Sequence, residues 1–215
     1  MSASCCGPDH HHQVDPNRGN AGYRRVLWTV LAINAIMFVV EIAAGFAAGS
    51  ASLQADAVDF FGDAANYAVS LFVVGMVLRY RAYAALAKGV SMGLFGLWVI
   101  GTVVWHAAHG TLPSAVTMGA VGVAAFAANG ASFALLWAYR AGDSNMRSAW
   151  ICTRNDTAQN LAVLLAAAGV FGTGAGWPDL IVAAIMAGLA LQGSWLVLRQ
   201  ARGELRQPVP LAAHR

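Results

Sequence analysis

Gly49-Ser-Ala-Ser-Leu-Gln-Ala-Asp56-Ala-Val-Asp59-Phe-Phe-Gly-Asp63 sets three carboxylic acids into a run of small and apolar residues. Successive helical residues turn by ~100°, so Asp56, Asp59 and Asp63 fall on one stripe, which Asn66 continues. The chain around that stripe has 215 residues, 58% of them hydrophobic and 11% charged. A soluble domain carries about 25% charged residues because water must solvate its surface. This chain cannot cover itself that way. Its apolar content excludes intrinsic disorder, and three cysteines exclude a disulfide-dense scaffold. The composition calls for lipid as solvent, and an acid stripe facing lipid is untenable, so the stripe faces protein or water.

Apolar runs flank the stripe on both sides. Helical spans are expected at 26–48, 53–77, 89–108, 114–139, 149–171 and 177–198, each long enough to cross ~30 Å of hydrocarbon. Turn chemistry separates them in pairs at Gly49-Ser50, at Gly110 to Pro113, and at Gly172 through Pro178. The expected fold is therefore all-α and integral to the membrane, with six transmembrane helices. It divides into a disordered tail at 1–23, a transmembrane domain at 24–200 and a short tail at 201–215. The runs are continuous rather than alternating, which argues against a β-barrel. A signal peptide is not expected either, because the first run is too long and follows a polar tail.

Of 13 Lys and Arg, twelve lie on the side holding both termini, Arg154 lies inside a span, and the opposite loops hold none. Basic residues mark cytoplasmic flanks, so both termini are expected to be cytoplasmic, in the inner membrane of the cell. The stretch from Arg79 to Lys88 is read as one of the basic loops.

Five acids, Glu41, Asp56, Asp59, Asp63 and Asp156, fall within the expected spans. A single such acid can serve helix packing, but a cluster needs another reason. Like charges on one stripe repel one another, and a divalent cation resolves the conflict. Span 5 offers Cys152 and Asp156 four residues apart, with Asn160 continuing the same face. Thiolate with carboxylate suits Zn²⁺ or another borderline metal better than Mg²⁺ or Ca²⁺.

Together with Asn34-Ala-Ile-Met-Phe38-Val-Val-Glu41-Ile-Ala-Ala-Gly45, the opening stretch resembles the first two helices of the cation diffusion facilitators. Pro178-Asp179 and the apolar run ending at Arg199 resemble that family's sixth helix, so the likeness covers roughly residues 24 to 203. It implies a six-helix metal exporter, usually homodimeric, that exchanges Zn²⁺ or related ions for protons. It also implies a transport site of Asp59 and Asp63 from helix 2 with Asp156 from helix 5. Where the family usually has a helix 5 His, this chain has Cys152, which keeps a ligand but softens it towards Zn²⁺, Cd²⁺ or Co²⁺. The family's usual cytoplasmic C-terminal domain is not expected, and the stretch from Arg79 to Lys88 lacks the His and Asp of the family's secondary sites.

The remaining polar groups take lesser expected roles. Glu41, Asp56, Asn66 and Asn160 are candidates for the surroundings of the metal or for a proton path. Asn34, Glu41 and Gly45 share a face that reads as close helix packing. Arg154 points about 200° away from Cys152 and Asp156, and a pairing with Glu41 or Asp56 suits it better than a place at the metal. Cys5, Cys6, His10, His11 and His12 concentrate soft ligands in the N-terminal tail, as metal capture would need. His106, His109, Trp105 and Trp177 read as interfacial.

There is no His-Glu-x-x-His pair, no phosphate-cradling glycine loop and no nucleophile triad, so neither an enzyme nor an ATP-driven pump is expected. The basic residues account for topology, not for nucleic acid. The expected partners are a divalent metal, protons, the bilayer and a second copy of the chain, with no cofactor beyond the transported ion. The competing class is a metal sensor or assembly subunit that binds without flux; an intramembrane metalloenzyme would need an open coordination position and a general base, and four protein ligands on Zn²⁺ leave neither.

Overall fold

The computed structural model describes residues 21–73, 78–138 and 144–206. The described residues form six helices: α1 (Ala21–Ala48), α2 (Ala51–Ala68), α3 (Leu78–His109), α4 (Ala115–Trp137), α5 (Ser144–Thr173) and α6 (Trp177–Arg206). A single π-turn, Val69–Val73, extends α2.

The turns at one end follow from local chemistry. Gly49 and Gly110 have φ of 63°, a left-handed conformation in which a glycine ends a helix without Cβ strain. Ser50 and Ser114 then cap α2 and α4, accepting from the Leu53 and Thr117 amides. Pro178 sits in the first turn of α6, where its missing N–H leaves no bond unmade. These loops lie against one another: the Ser114 amide donates to the Ala48 carbonyl at 2.9 Å, and a Cβ on Gly176 would come within 2.4 Å of the Thr111 oxygen.

Four helices, α1, α3 over Ala82–His109, α4 and α6, are long and apolar enough to cross a membrane. Their unpartnered faces carry residues such as Ile36, Val39, Leu94, Val104, Val116, Val123 and Ile185, all more than half exposed, as lipid contact requires. α2 is different. It buries twelve of its residues, Asp56 and Asp63 among them, and so forms the centre of the bundle. α1, α4, α5 and α6 all pack against it or against one another around it, and α3 packs most extensively on α6. Small residues permit that last approach: Gly89, Gly93 and Gly96 face Leu198, Ser194 and Leu191, and the Ser194 hydroxyl donates to the Gly89 carbonyl at 2.7 Å.

The structure departs from the sequence reading at the stretch from Arg79 to Lys88. It is not a loop but the first turns of α3, which begins at Leu78. The segment Ala82-Tyr-Ala-Ala-Leu-Ala-Lys88 has no Gly or Pro and is rich in strong helix formers, so nothing in it interrupts the helix. Nor is Lys88 a flanking charge in water, since only 7% of it is exposed.

Candidate metal centre

The start of α2 is held from a distance. Asp179 of α6, fully buried, accepts from the Ser50 hydroxyl at 2.7 Å, the Ala51 amide at 2.8 Å and the Ser52 amide at 3.0 Å. A helix leaves its first amides without intrahelical partners and carries positive potential there, so a carboxylate answers both needs. The register of α2, and with it the direction of the acid stripe, is thereby fixed against α6.

Along α2 the stripe divides. Asp59 and Asp63 turn towards α5, where the carboxyl of Asp156 comes within hydrogen-bonding reach of both. Gln159 bridges this group, its amide donating to Asp59 Oδ2 at 3.1 Å and to Asp156 Oδ1 at 3.4 Å. Asp156 Oδ2 is buried with no hydrogen-bond partner. Asp63 and Asp156 are buried, and Asp59 is partly accessible. One turn further, the Tyr67 hydroxyl meets the Thr153 hydroxyl at 2.9 Å and joins α2 to α5 on the far side of the acids.

Cys152 occupies the α5 turn before Asp156, on the face that Asp156 and Asn160 share. The side chains of Cys152 and Arg154 lie outside the described residues, as do Cys5, Cys6, His10, His11 and His12. Among the described residues no three His, Cys, Asp or Glu side chains converge closely enough to hold a metal ion.

Asp56 belongs to a second group. Asn160 donates to both of its oxygens at 2.8 Å, and Asn129 of α4 donates to Asn160 Oδ1 at 3.0 Å. Glu41 of α1 stands within hydrogen-bonding reach of Asp56, yet both of its oxygens lack a donor, as do the buried Asn34 Oδ1, Asn129 Oδ1 and Ser132 Oγ. Met37 and Ala125 share one buried cluster and Leu27 and Leu136 another, so α1 lies antiparallel to α4. α1 and α4 thus each carry buried polar atoms without partners, Asn34 and Glu41 on one and Asn129 and Ser132 on the other. Buried acceptors of this kind call for donors, namely protons, water or a cation.

Asn66 continues the stripe but turns to α3, where its side-chain oxygen accepts from Lys88 Nζ. His106 and His109 lie at the loop end of α3, away from the acids, with His109 stacked on Trp105 at 3.9 Å. The spacing did not point to Gln159, Asn129, Lys88 or Asp179. For the first two a signal was present: a polar side chain one turn from Asp156, and a lone Asn in the apolar run 114–139.

A lipid-facing helical shell around a central helix of carboxylates, with acceptor oxygens lacking donors, defines a membrane protein that handles cations. Residues 27–205 match the cation efflux transmembrane domain, and the chain belongs to the cation efflux family. It is accordingly a transporter of metal cations rather than an enzyme, and the bilayer is its surroundings. A comparison with individual curated proteins finds no match.

Proposed function

We propose that the chain exports a divalent transition metal, Zn²⁺ foremost with Cd²⁺ or Co²⁺ as further substrates, in exchange for protons. The transport site in this reading is Asp59, Asp63, Cys152 and Asp156, between α2 and α5. All six helices cross the bilayer, both termini are cytoplasmic, the membrane is the inner membrane, and the working unit is a homodimer. α2 falls short of a lipid-facing hydropathy because it is buried among the other helices, and α5 because it joins polar residues at Asp156, Gln159 and Asn160 to an exposed apolar face at Leu161, Leu165 and Phe171.

One observation carries the reading. Acids from two helices come within hydrogen-bonding reach of one another at Asp59, Asp63 and Asp156, and Asp156 Oδ2 is buried without a partner. Among the described residues no cation lies within ion-pair distance of these acids, so the group gains most from a cation that arrives from outside. Carboxylate and thiol ligands must give up protons to bind metal, so each loading event displaces protons and an opposing proton gradient unloads the site. Glu41, Asp56 and Asn160, with Asn129, supply the proton path, and the tail with Cys5, Cys6, His10, His11 and His12 captures metal before entry.

Sealed vesicles test this. A proton gradient should drive Zn²⁺ or Cd²⁺ uptake by the native chain, and Asp63→Ala or Asp156→Ala should abolish it. Uptake that survives both substitutions would remove the site assignment. Stoichiometric metal binding without flux would instead favour the sensor or assembly reading.

A further inference from the structure

Lys88 is the described cation closest to the acid stripe, and its surroundings are unusual for a lysine. A lysine on a membrane helix normally extends its amine to the headgroups or pairs with a carboxylate. Lys88 is only 7% exposed, and its amine donates to an uncharged oxygen, Oδ1 of Asn66. It makes no ion pair among the described residues. Burying an ammonium against a neutral amide is costly, and a methionine would fill the same space without that cost.

The placement is fixed from both sides. On α3, the next residue is Gly89, whose carbonyl accepts from Ser194 of α6 at 2.7 Å. On α2, Gly62 lies so close to Met92 that an added Cβ would stand 3.2 Å from the methionine methyl. α3 and α2 therefore meet tightly beside Asp63. Asn66 follows Asp63 by three residues on the same stripe, so the amine is held about one helical turn, ~5 Å, from the carboxylate level. That is near enough for its charge to act on Asp63 and too far for contact.

The charge balance gives this position a meaning. Three carboxylates and one thiolate sum to −4, and a divalent ion leaves −4 + 2 = −2. One fixed ammonium halves that excess. We propose that Lys88 is a tethered counter-cation of the metal site, offsetting Asp63 when cargo is absent and repelling the bound ion enough to keep its release fast. The proposal rests on the site assigned above. It casts Lys88 as a positioning charge that never touches the metal, with Asn66 as its tether.

The test measures Zn²⁺ and Cd²⁺ affinity of the purified full-length protein by competition with a chelating dye, alongside transport in vesicles. Lys88→Met and Lys88→Gln should each bind metal roughly tenfold tighter and turn over more slowly at saturating metal, because one repulsive charge is gone. Lys88→Arg keeps the charge and should stay within about threefold of the native affinity. Unchanged or weaker affinity in both neutral variants, with native elution and melting, would overturn the proposal, since a charge that repels the bound ion must tighten binding when it is removed. Asp156→Ala separates the two levels of the argument. Loss of binding there with no change in Lys88→Met sinks the counter-cation alone. Native-like binding in Asp156→Ala sinks the site and the counter-cation with it.

Discussion

Removing the Asp179 carboxylate should loosen α2 at its start, and the size of the effect follows from the three contacts it makes. In Asp179→Ala the Ser50 hydroxyl can turn to another acceptor, but the Ala51 and Ser52 amides, 2.8 and 3.0 Å from the carboxylate, lose theirs in a buried setting. A buried donor left without a partner costs ~1–3 kcal/mol, and a negative charge at a helix start contributes ~0.3–2 kcal/mol. These terms overlap, so a loss of about 4 kcal/mol is expected for the alanine. Asp179→Asn keeps one acceptor oxygen and turns an amide N–H towards a backbone N–H, for a loss of about 2 kcal/mol. Equilibrium unfolding in mixed micelles reads both values. The same variants should bind metal more weakly, because Asp59 and Asp63 take their direction from the α2 register. An alanine variant within ~1 kcal/mol of the native protein would show that the carboxylate does not hold α2, and the argument for register control would fail.

Cys152→His should shift preference from Cd²⁺ towards Zn²⁺ in the vesicle assay if the thiol sets the softness of the site, and an unchanged ratio would count against that. Gly176→Ala drives a methyl to within 2.4 Å of the Thr111 carbonyl and should cost ~1–3 kcal/mol in the unfolding assay, whereas Gly119→Ala, with open space around it, should be neutral or slightly stabilising.

The helix count and the three turns of the loop end were legible because they depend on local signals: apolar run length, glycine, proline and a capping serine. The start of α3 was not. Arg79, Arg81 and Lys88 carried a topological meaning in the sequence that outweighed the helix-forming residues between them, and only packing reveals that Lys88 faces α2. The acid stripe was half legible. Spacing placed Asp56, Asp59 and Asp63 together on α2, but which neighbour each one meets depends on where α1 and α5 sit. Asp56 therefore fell to Asn160 and Glu41, and the other two to Asp156. Asp179 was the least accessible to spacing, since its partners lie more than 120 residues earlier in the chain. No periodicity encodes a contact at that range.

The glycine ridge of α3 against α6 has a mechanical consequence. It makes those two helices one body, and that body grips α2 at two places, through Asp179 at Ser50 and through Lys88 at Asn66, ~24 Å apart along the helix. A beam supported at both ends by the same frame resists tilting and sliding, since either would break a support. Turning about its own length is resisted too, because Asn66 stands on the same stripe as the acids. A turn of ~30° would carry a side-chain group that stands ~6 Å from the helix axis through ~3 Å, enough to break the bond between Lys88 and Asn66, so the acids of α2 present a fixed face to α5.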